Sequence, residues 1–152
     1  MFPLSFEKTI EVPIPSNKID SISEIIMNIL ADCIFDEKPS GFNKDQYQIQ
    51  FSGGFFRFVS SWNLLASIDH GVITVTPAND KLLVSYKLRF MELLIISSLM
   101  ALISGVYIFS KENSVQSFFL IAGIWAFYFL PNFIITIVRF DNLIRSVIKN
   151  MQ

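Results

Sequence analysis

The chain has little of the residue chemistry on which most enzymes and metal proteins depend. Its 152 residues include one cysteine, Cys33, and one histidine, His70. A single cysteine excludes an intramolecular disulfide and a multi-thiolate metal site, and it fits a reducing compartment. His70 follows Asp69 in a DHG segment that is typical of a turn, because a catalytic or metal role needs partners that converge on the ring. The sequence therefore predicts no catalytic residue, no metal site and no cofactor.

Blocks of positive charge and nucleotide-binding motifs are also lacking. Residues 1–90 hold eight lysines and arginines against ten acids, which makes nucleic acid an unexpected partner. Gly53 and Gly54 have no Walker lysine beside them and are predicted to form a hairpin turn instead of a phosphate site. The opening residues have no basic flank before an apolar core, so no cleavable signal peptide is expected.

Apolar sequence is what the chain has in excess, and most of it lies in one region. The hydrophobic content of 52% and the mean hydropathy of +0.50 exceed what a soluble domain of this size shows. Two apolar runs, 90–110 and 117–138, flank a short connection at 111–116. A helix rising about 1.5 Å per residue needs roughly 20 apolar residues to cross a bilayer. The sequence predicts a two-helix transmembrane hairpin with a short extracytoplasmic loop.

Basic residues near the two runs predict the orientation of the hairpin. Six lie just before the first run or just after the second, and one, Lys111, lies in the connection. The six are Lys81, Lys87, Arg89, Arg139, Arg145 and Lys149. The positive-inside rule then places both termini in the cytoplasm. We expect a multi-pass protein with two spans, located in the bacterial inner membrane.

Residues 1–89 are predicted to form a cytoplasmic α+β domain. Leu4–Val12 alternates between apolar and polar residues, with Lys8 as the charged exception on the apolar face. Ser16–Cys33 repeats isoleucines at helical spacing. Four more strands are expected, at 46–51, 55–59, 72–76 and 81–90, and the first two are joined by a tight turn at 52–54. The predicted topology is a small antiparallel β-meander sheet, β-α-β-β-β-β, with the helix packed on one face.

Small residues recur along both predicted spans. Ser97, Ala101 and Gly105 form a stripe on the first, and Ala122 and Ala126 form a patch on the second. Small side chains let helix backbones approach closely where lipid offers no hydrophobic drive for association. These stripes are predicted to face each other or a partner span.

Polar residues and a proline within the spans carry further predictions. Glu92 and Arg139 lie at the same end of the hairpin. Because a carboxylate near lipid needs a partner or access to the interface, we expect Glu92 to pair with Arg139 or to snorkel to the interface. Pro131 predicts a kink in the second span at that residue. Asn132 is predicted to satisfy the backbone groups that the kink frees or to contact a helix, with a ligand contact as the alternative.

Two segments outside the spans are candidates for membrane contact. Trp62 and Leu64 lie in the segment 60–69 and are predicted to touch the membrane surface. The tail 139–152 is an amphipathic helix, and its apolar side fits either the soluble domain or the bilayer interface.

These features favour a small non-enzymatic membrane protein. We expect an accessory, scaffold or assembly subunit that acts through protein contacts of its domain and hairpin. Its expected partners are the lipid bilayer and another membrane protein or a second copy. One alternative is a membrane-tethered module that senses a lipid or small ligand in a pocket between the sheet and the isoleucine-rich helix. Another is an immunity-type protein that blocks a membrane-active toxin.

Overall fold

The computed structural model describes residues 4–15, 19–53, 64–78, 80–109 and 115–150, with the side chains of 107–109 and 115–117 left out. Within these ranges the chain forms five strands and three helices. They are β1 (Ser5–Pro13), α1 (Ile19–Asp36), β2 (Gly41–Lys44), β3 (Gln48–Ser52), β4 (His70–Ala78), β5 (Lys81–Arg89), α2 (Met91–Phe109) and α3 (Val115–Lys149). The first six follow the predicted succession of a strand, a helix and four strands.

The strands form one antiparallel sheet in the order β1-β5-β4-β3-β2. Strands β2 to β5 make an antiparallel meander of four strands, the number predicted, and β1 pairs with the last strand of that meander. The hairpin between β4 and β5 closes where Ala78 pairs with Lys81. This arrangement brings the first strand beside the strand that leads into α2.

The sheet differs from the sequence prediction at β2 and β3. Residues 41–44 form an unpredicted edge strand that pairs with β3, and the other edge of β3 pairs with β4. The predicted hairpin between 46–51 and 55–59 is therefore wrong, because β3 already pairs with β2 on one edge and with β4 on the other. Residues 55–59 themselves lie outside the described residues. Gly53 instead lets the backbone of Ile68 approach closely, since a Cβ at Gly53 would lie 2.0 Å from the Ile68 carbonyl oxygen.

The two faces of the sheet differ in polarity. One face is apolar and is covered by α1, whose Ile26, Met27, Leu30 and Ile34 are almost fully buried. The opposite face carries exposed ion pairs between β1 and β5, such as Lys87 with Glu7 at 3.4 Å. A period of two along each strand produces this division.

Helix α3 is one continuous helix of 35 residues, about 52 Å long at 1.5 Å per residue. Its last turns dock on the sheet, and four of their side chains join the hydrophobic core. These are Phe140, Ile144, Val147 and Ile148. The amphipathic tail therefore packs on the sheet domain, which decides between its two predicted positions. We call the sheet, α1 and residues 140–149 of α3 the head.

Beyond the head, α2 and α3 pack against each other. Gly105 of α2 lies against Ile121, and the indole N–H of Trp125 donates to the Ser98 hydroxyl over 3.2 Å. Among the described residues one helix, Phe118–Lys149, is long and apolar enough to cross a membrane, judged by length and composition. Met91–Val106 is a shorter apolar helix, so the first predicted span, 90–110, is not confirmed and neither is the two-span hairpin.

Candidate functional site at the junction of helix and sheet

Lys8, the charged exception on the apolar face of β1, finds its partner in α3. Its ammonium nitrogen lies 2.8 Å from Oδ1 of Asp141. The residue paired with Lys8 across the sheet is Tyr86 of β5. The strand thus turns a lysine toward the core side because an acid on α3 lies above it.

Asp141 accepts hydrogen bonds from three side chains. The Tyr86 hydroxyl donates to Oδ1 over 2.9 Å, and Nε of Arg145 donates to Oδ2 over 2.8 Å. Only 17% of the Asp141 side chain is exposed, whereas 56% of the Arg145 side chain is exposed. We call Lys8, Tyr86, Asp141 and Arg145 the junction. It ties the edge strand β1 and its neighbour β5 to the long helix.

The junction holds Asp141 ionised and Tyr86 neutral. Burial opposes ionisation of Asp141, but the hydrogen bonds from Lys8, Arg145 and Tyr86 outweigh it and lower the pKa to about 2. Burial, followed by the hydrogen bond to Asp141, raises the pKa of Tyr86 well above its ordinary value. Neither group changes charge near neutral pH, so the junction is suited to fixing the helix and not to proton transfer.

Aromatic rings surround the junction. The Phe140 ring lies 5.3 Å from that of Tyr86 and 5.9 Å from that of Phe51, measured between centroids. The Phe51 ring covers Gly71 of β4 so closely that a Cβ there would lie 1.9 Å from Cζ of Phe51. Gly71 therefore lets Phe51 lie against the sheet beneath Phe140.

A second group of charges lies where β5 leads into α2. Nε of Arg89 lies 3.6 Å from Oδ2 of Asp69. The His70 ring approaches the Phe51 carbonyl oxygen at 3.3 Å. The ion pair of Glu92 with Arg139 stays a prediction.

The small residues predicted on the two helices differ in burial. Ser97, Ala101 and Gly105 on α2 are buried. Large side chains of α3 meet this side of α2, among them Ile121 and Trp125. Ala122 is exposed and Ala126 is partly exposed, so contact of these two with a partner span stays a prediction.

The two site residues predicted in the second span, Pro131 and Asn132, both lie inside helix α3. The Asn132 side-chain amide donates to the Tyr128 carbonyl oxygen over 2.7 Å, which favours the structural interpretation of Asn132 over a ligand contact. Pro131 lies inside the helix, and the helix continues through it. The kink stays a prediction.

The two residues predicted to touch the membrane surface have different outcomes. Trp62 lies outside the described residues. Leu64 packs partly buried against the core, and its N–H donates to the Glu37 carboxylate over 3.1 Å. Its contact with the membrane stays a prediction.

The surroundings of Cys33 disfavour a reactive thiol. Burial, Asp36 and Asp32 raise the pKa of the Cys33 thiol, which disfavours the nucleophilic thiolate. No group of three or more His, Cys, Asp or Glu side chains within the described residues could hold a metal ion.

Asp141 is the junction residue that sequence reasoning missed. The signal was the unexplained Lys8 on the apolar face of β1, which needed an acid from another element. The sequence showed Asp141 only as a polar residue of an amphipathic tail, and it did not show which surface the tail packs on.

No family model, curated protein or solved structure matches the chain.

Proposed function

We propose that the chain is a non-enzymatic membrane protein with two spans, which presents its head to protein partners at the cytoplasmic face. In this role it serves as an accessory, scaffold or assembly subunit. The observation that carries the proposal is the continuity of α3, whose apolar part is exposed and whose last turns are built into the head core. A helix of this kind holds a folded domain rigidly at a membrane.

The exposed surface of the helices supports the membrane location. Large apolar side chains are between two-fifths and three-quarters exposed along both helices. They include Leu102, Ile103 and Val106 on α2 and Phe118, Phe119, Phe127 and Ile134 on α3. A soluble monomer does not leave a surface of this size in water, because each buried Å² of apolar area is worth about 25 cal/mol. Lipid is the proposed cover.

The pairing of α2 with α3 supports a second span. α2 has 19 helical residues, about 28 Å at 1.5 Å per residue, which is close to the hydrocarbon thickness of roughly 30 Å. The two helices pack together over their apolar parts, and the excess of lysine and arginine at the head end favours a cytoplasmic head. Location in the bacterial inner membrane stays a prediction.

The sensing alternative stays a second proposal, because a cavity of about 660 Å³ lies between α1 and the turn that joins β2 to β3. A ligand pocket was predicted between the sheet and α1. Phe140 and Ile144 of α3 pack on that face of the sheet and are fully buried there. The immunity-type alternative uses the same kind of protein contact and is a special case of the proposal.

Extraction and labelling test the proposal. We expect the protein to remain in the membrane pellet after washing with alkaline carbonate. In a Cys33→Ser background, a cysteine placed at the exposed Glu7 should react with an impermeant maleimide only after the cytoplasmic side is opened. Blue-native electrophoresis of mild detergent extracts should show a species larger than the monomer. Release by carbonate would contradict the spans, labelling in intact cells would contradict the orientation, and a strict monomer without a co-purifying protein would contradict the scaffold role.

A further inference from the structure

The sheet register shows which end of the head faces the membrane helices. One row of paired residues crosses the whole sheet. It consists of Ser5, Arg89, His70, Ser52 and Gly41. α2 begins at Met91, two residues after Arg89. We call this the membrane-side row, since it lies at the end of the sheet from which α2 leaves.

Helix α1 ends at the same level. It ends at Asp36, and the Ser40 N–H that follows donates to the Ser52 carbonyl oxygen over 2.9 Å. Phe35, in the last turn of α1, meets Phe42 edge to face with 5.7 Å between ring centroids. The Phe35 side chain is nevertheless 63% exposed, more than any other large apolar side chain in the described part of the head. An exposed phenylalanine therefore lies beside the membrane-side row.

The apolar surface of α3 extends to this level as well. Phe133 contacts Phe90, the residue after Arg89, with 4.9 Å between ring centroids. Val138 lies five residues further along α3 toward the head, about 7 Å at 1.5 Å per residue, and is 51% exposed. A bilayer that covers Val138 thus reaches the membrane-side row, where its head-group layer would meet the end of α1.

The turn after α1 adds a lysine to this surface. Lys38 has φ of 54°, in the left-handed region that is costly for residues other than glycine. Its N–H donates to the Phe35 carbonyl oxygen over 2.9 Å, and its side chain is exposed. This left-handed residue ends α1 in a common way, and an aromatic ring beside a long basic side chain suits a membrane interface.

We propose that Phe35 inserts into the head-group layer of the bilayer and that Lys38 reaches the lipid phosphates, so that the head rests on the membrane at the end of α1. This inference rests on the proposed function, since it needs helices that span the bilayer. Asp36 and Glu37 lie between the two residues and repel anionic lipid. Partition of the apolar Phe35 ring therefore drives the contact of the head with the bilayer. Because this contact does not need anionic lipid, it forms on zwitterionic phosphatidylcholine.

Site-directed spin labelling of the full chain in phosphatidylcholine nanodiscs tests the contact. In a Cys33→Ser background, single cysteines replace Phe35, Ile25 or Val106 and carry a nitroxide. Ile25 is the matched control, because it lies on the same helix, is 45% exposed and is about 15 Å further from the membrane at 1.5 Å per residue. We expect the ratio of oxygen to nickel-reagent accessibility to be several-fold higher at position 35 than at position 25.

Two further labels keep the result decisive. Val106, which is 74% exposed on α2, reports the span itself, and a Lys38→Cys label tests the same surface without removing Phe35. Water-like accessibility at both 35 and 38, with lipid-like accessibility at 106, would overturn this inference alone. Water-like accessibility at 106 would overturn the proposed spans and this inference with them.

Discussion

Asp141 is the single residue whose charge holds the long helix on the sheet. Its folded-state pKa of about 2 lies below the value of about 3.9 for an unfolded aspartate. The stabilisation from its ionised form is therefore present above pH 4 and is lost as the pH falls toward 2. We expect Asp141→Asn to lower the free energy of unfolding by about 2 kcal/mol at pH 7.

Urea unfolding of the detergent-solubilised protein, followed by near-ultraviolet circular dichroism, measures this difference. The gap between wild type and Asp141→Asn should shrink between pH 5 and pH 2. Glu7→Gln is the matched control, because Glu7 and its partner Lys87 are both more than half exposed, and such surface pairs are worth about 0–1 kcal/mol. A gap that is constant with pH would show that the Asp141 charge contributes nothing to stability.

Gly71 is a position where a single methyl group decides the packing. A Cβ at Gly71 would lie 1.9 Å from the Phe51 ring, so the ring must leave its place beneath Phe140. We expect Gly71→Ala to destabilise the head by about 1–3 kcal/mol, as overpacking of a filled core does. Gly123→Ala is the control, since nothing lies within 4 Å of a Cβ there. Equal unfolding midpoints for the two variants in thermal scans would contradict the packing around Phe51.

At the scale of elements, α3 has two parts with different surroundings. Phe140 is fully buried in the head, whereas Phe127 in the same helix is 75% exposed. Phe140→Ala removes a ring from the contacts with Tyr86 and Phe51, and we expect a loss of about 3–5 kcal/mol in the unfolding free energy of the head. Phe127→Ala should leave that free energy nearly unchanged. Hydrogen exchange of the β5 amides in micelles measures the effect, and comparable protection in both variants would show that α3 is not part of the head core.

The elements that the sequence predicted well are those with a strong period. β1, α1, β5 and the β4–β5 hairpin follow from alternation or from isoleucines at helical spacing. β2 was missed because GFNK has four residues and no alternation, and Gly53 was misread because a glycine pair between two alternating runs also fits a tight turn. The docking of 140–149 on the sheet is a long-range choice, since the same amphipathic pattern fits a bilayer surface. The unusual position of Lys8 on the apolar face of β1 is explained by this docking, but the explanation requires its partner Asp141 to be known.

At the scale of the whole molecule, the head is built from two parts of the chain separated by the apolar helices. Its core draws on residues up to Phe90 and again on Phe140 to Ile148. Residues 1–90 alone would leave Phe51 and Tyr86 facing water on one side of the sheet. The stability of the head is thus linked to the return of the chain through α3, which brings residues 140–149 back to the sheet that α2 leaves.

Replacing residues 91–138 by a short flexible linker tests this directly. Phe90 lies beside Phe133, so the gap to Arg139 is about 10–15 Å, which roughly eight glycine and serine residues can span. We expect this chain to be a soluble folded protein with dispersed amide resonances, because α3 residues 140–149 still cover the sheet. Residues 1–90 without that segment should aggregate or unfold, since their exposed apolar face has no cover. If residues 1–90 folded alone with equal stability, the last turns of α3 would only be attached to a domain that is complete without them, and α3 could not hold the head through them.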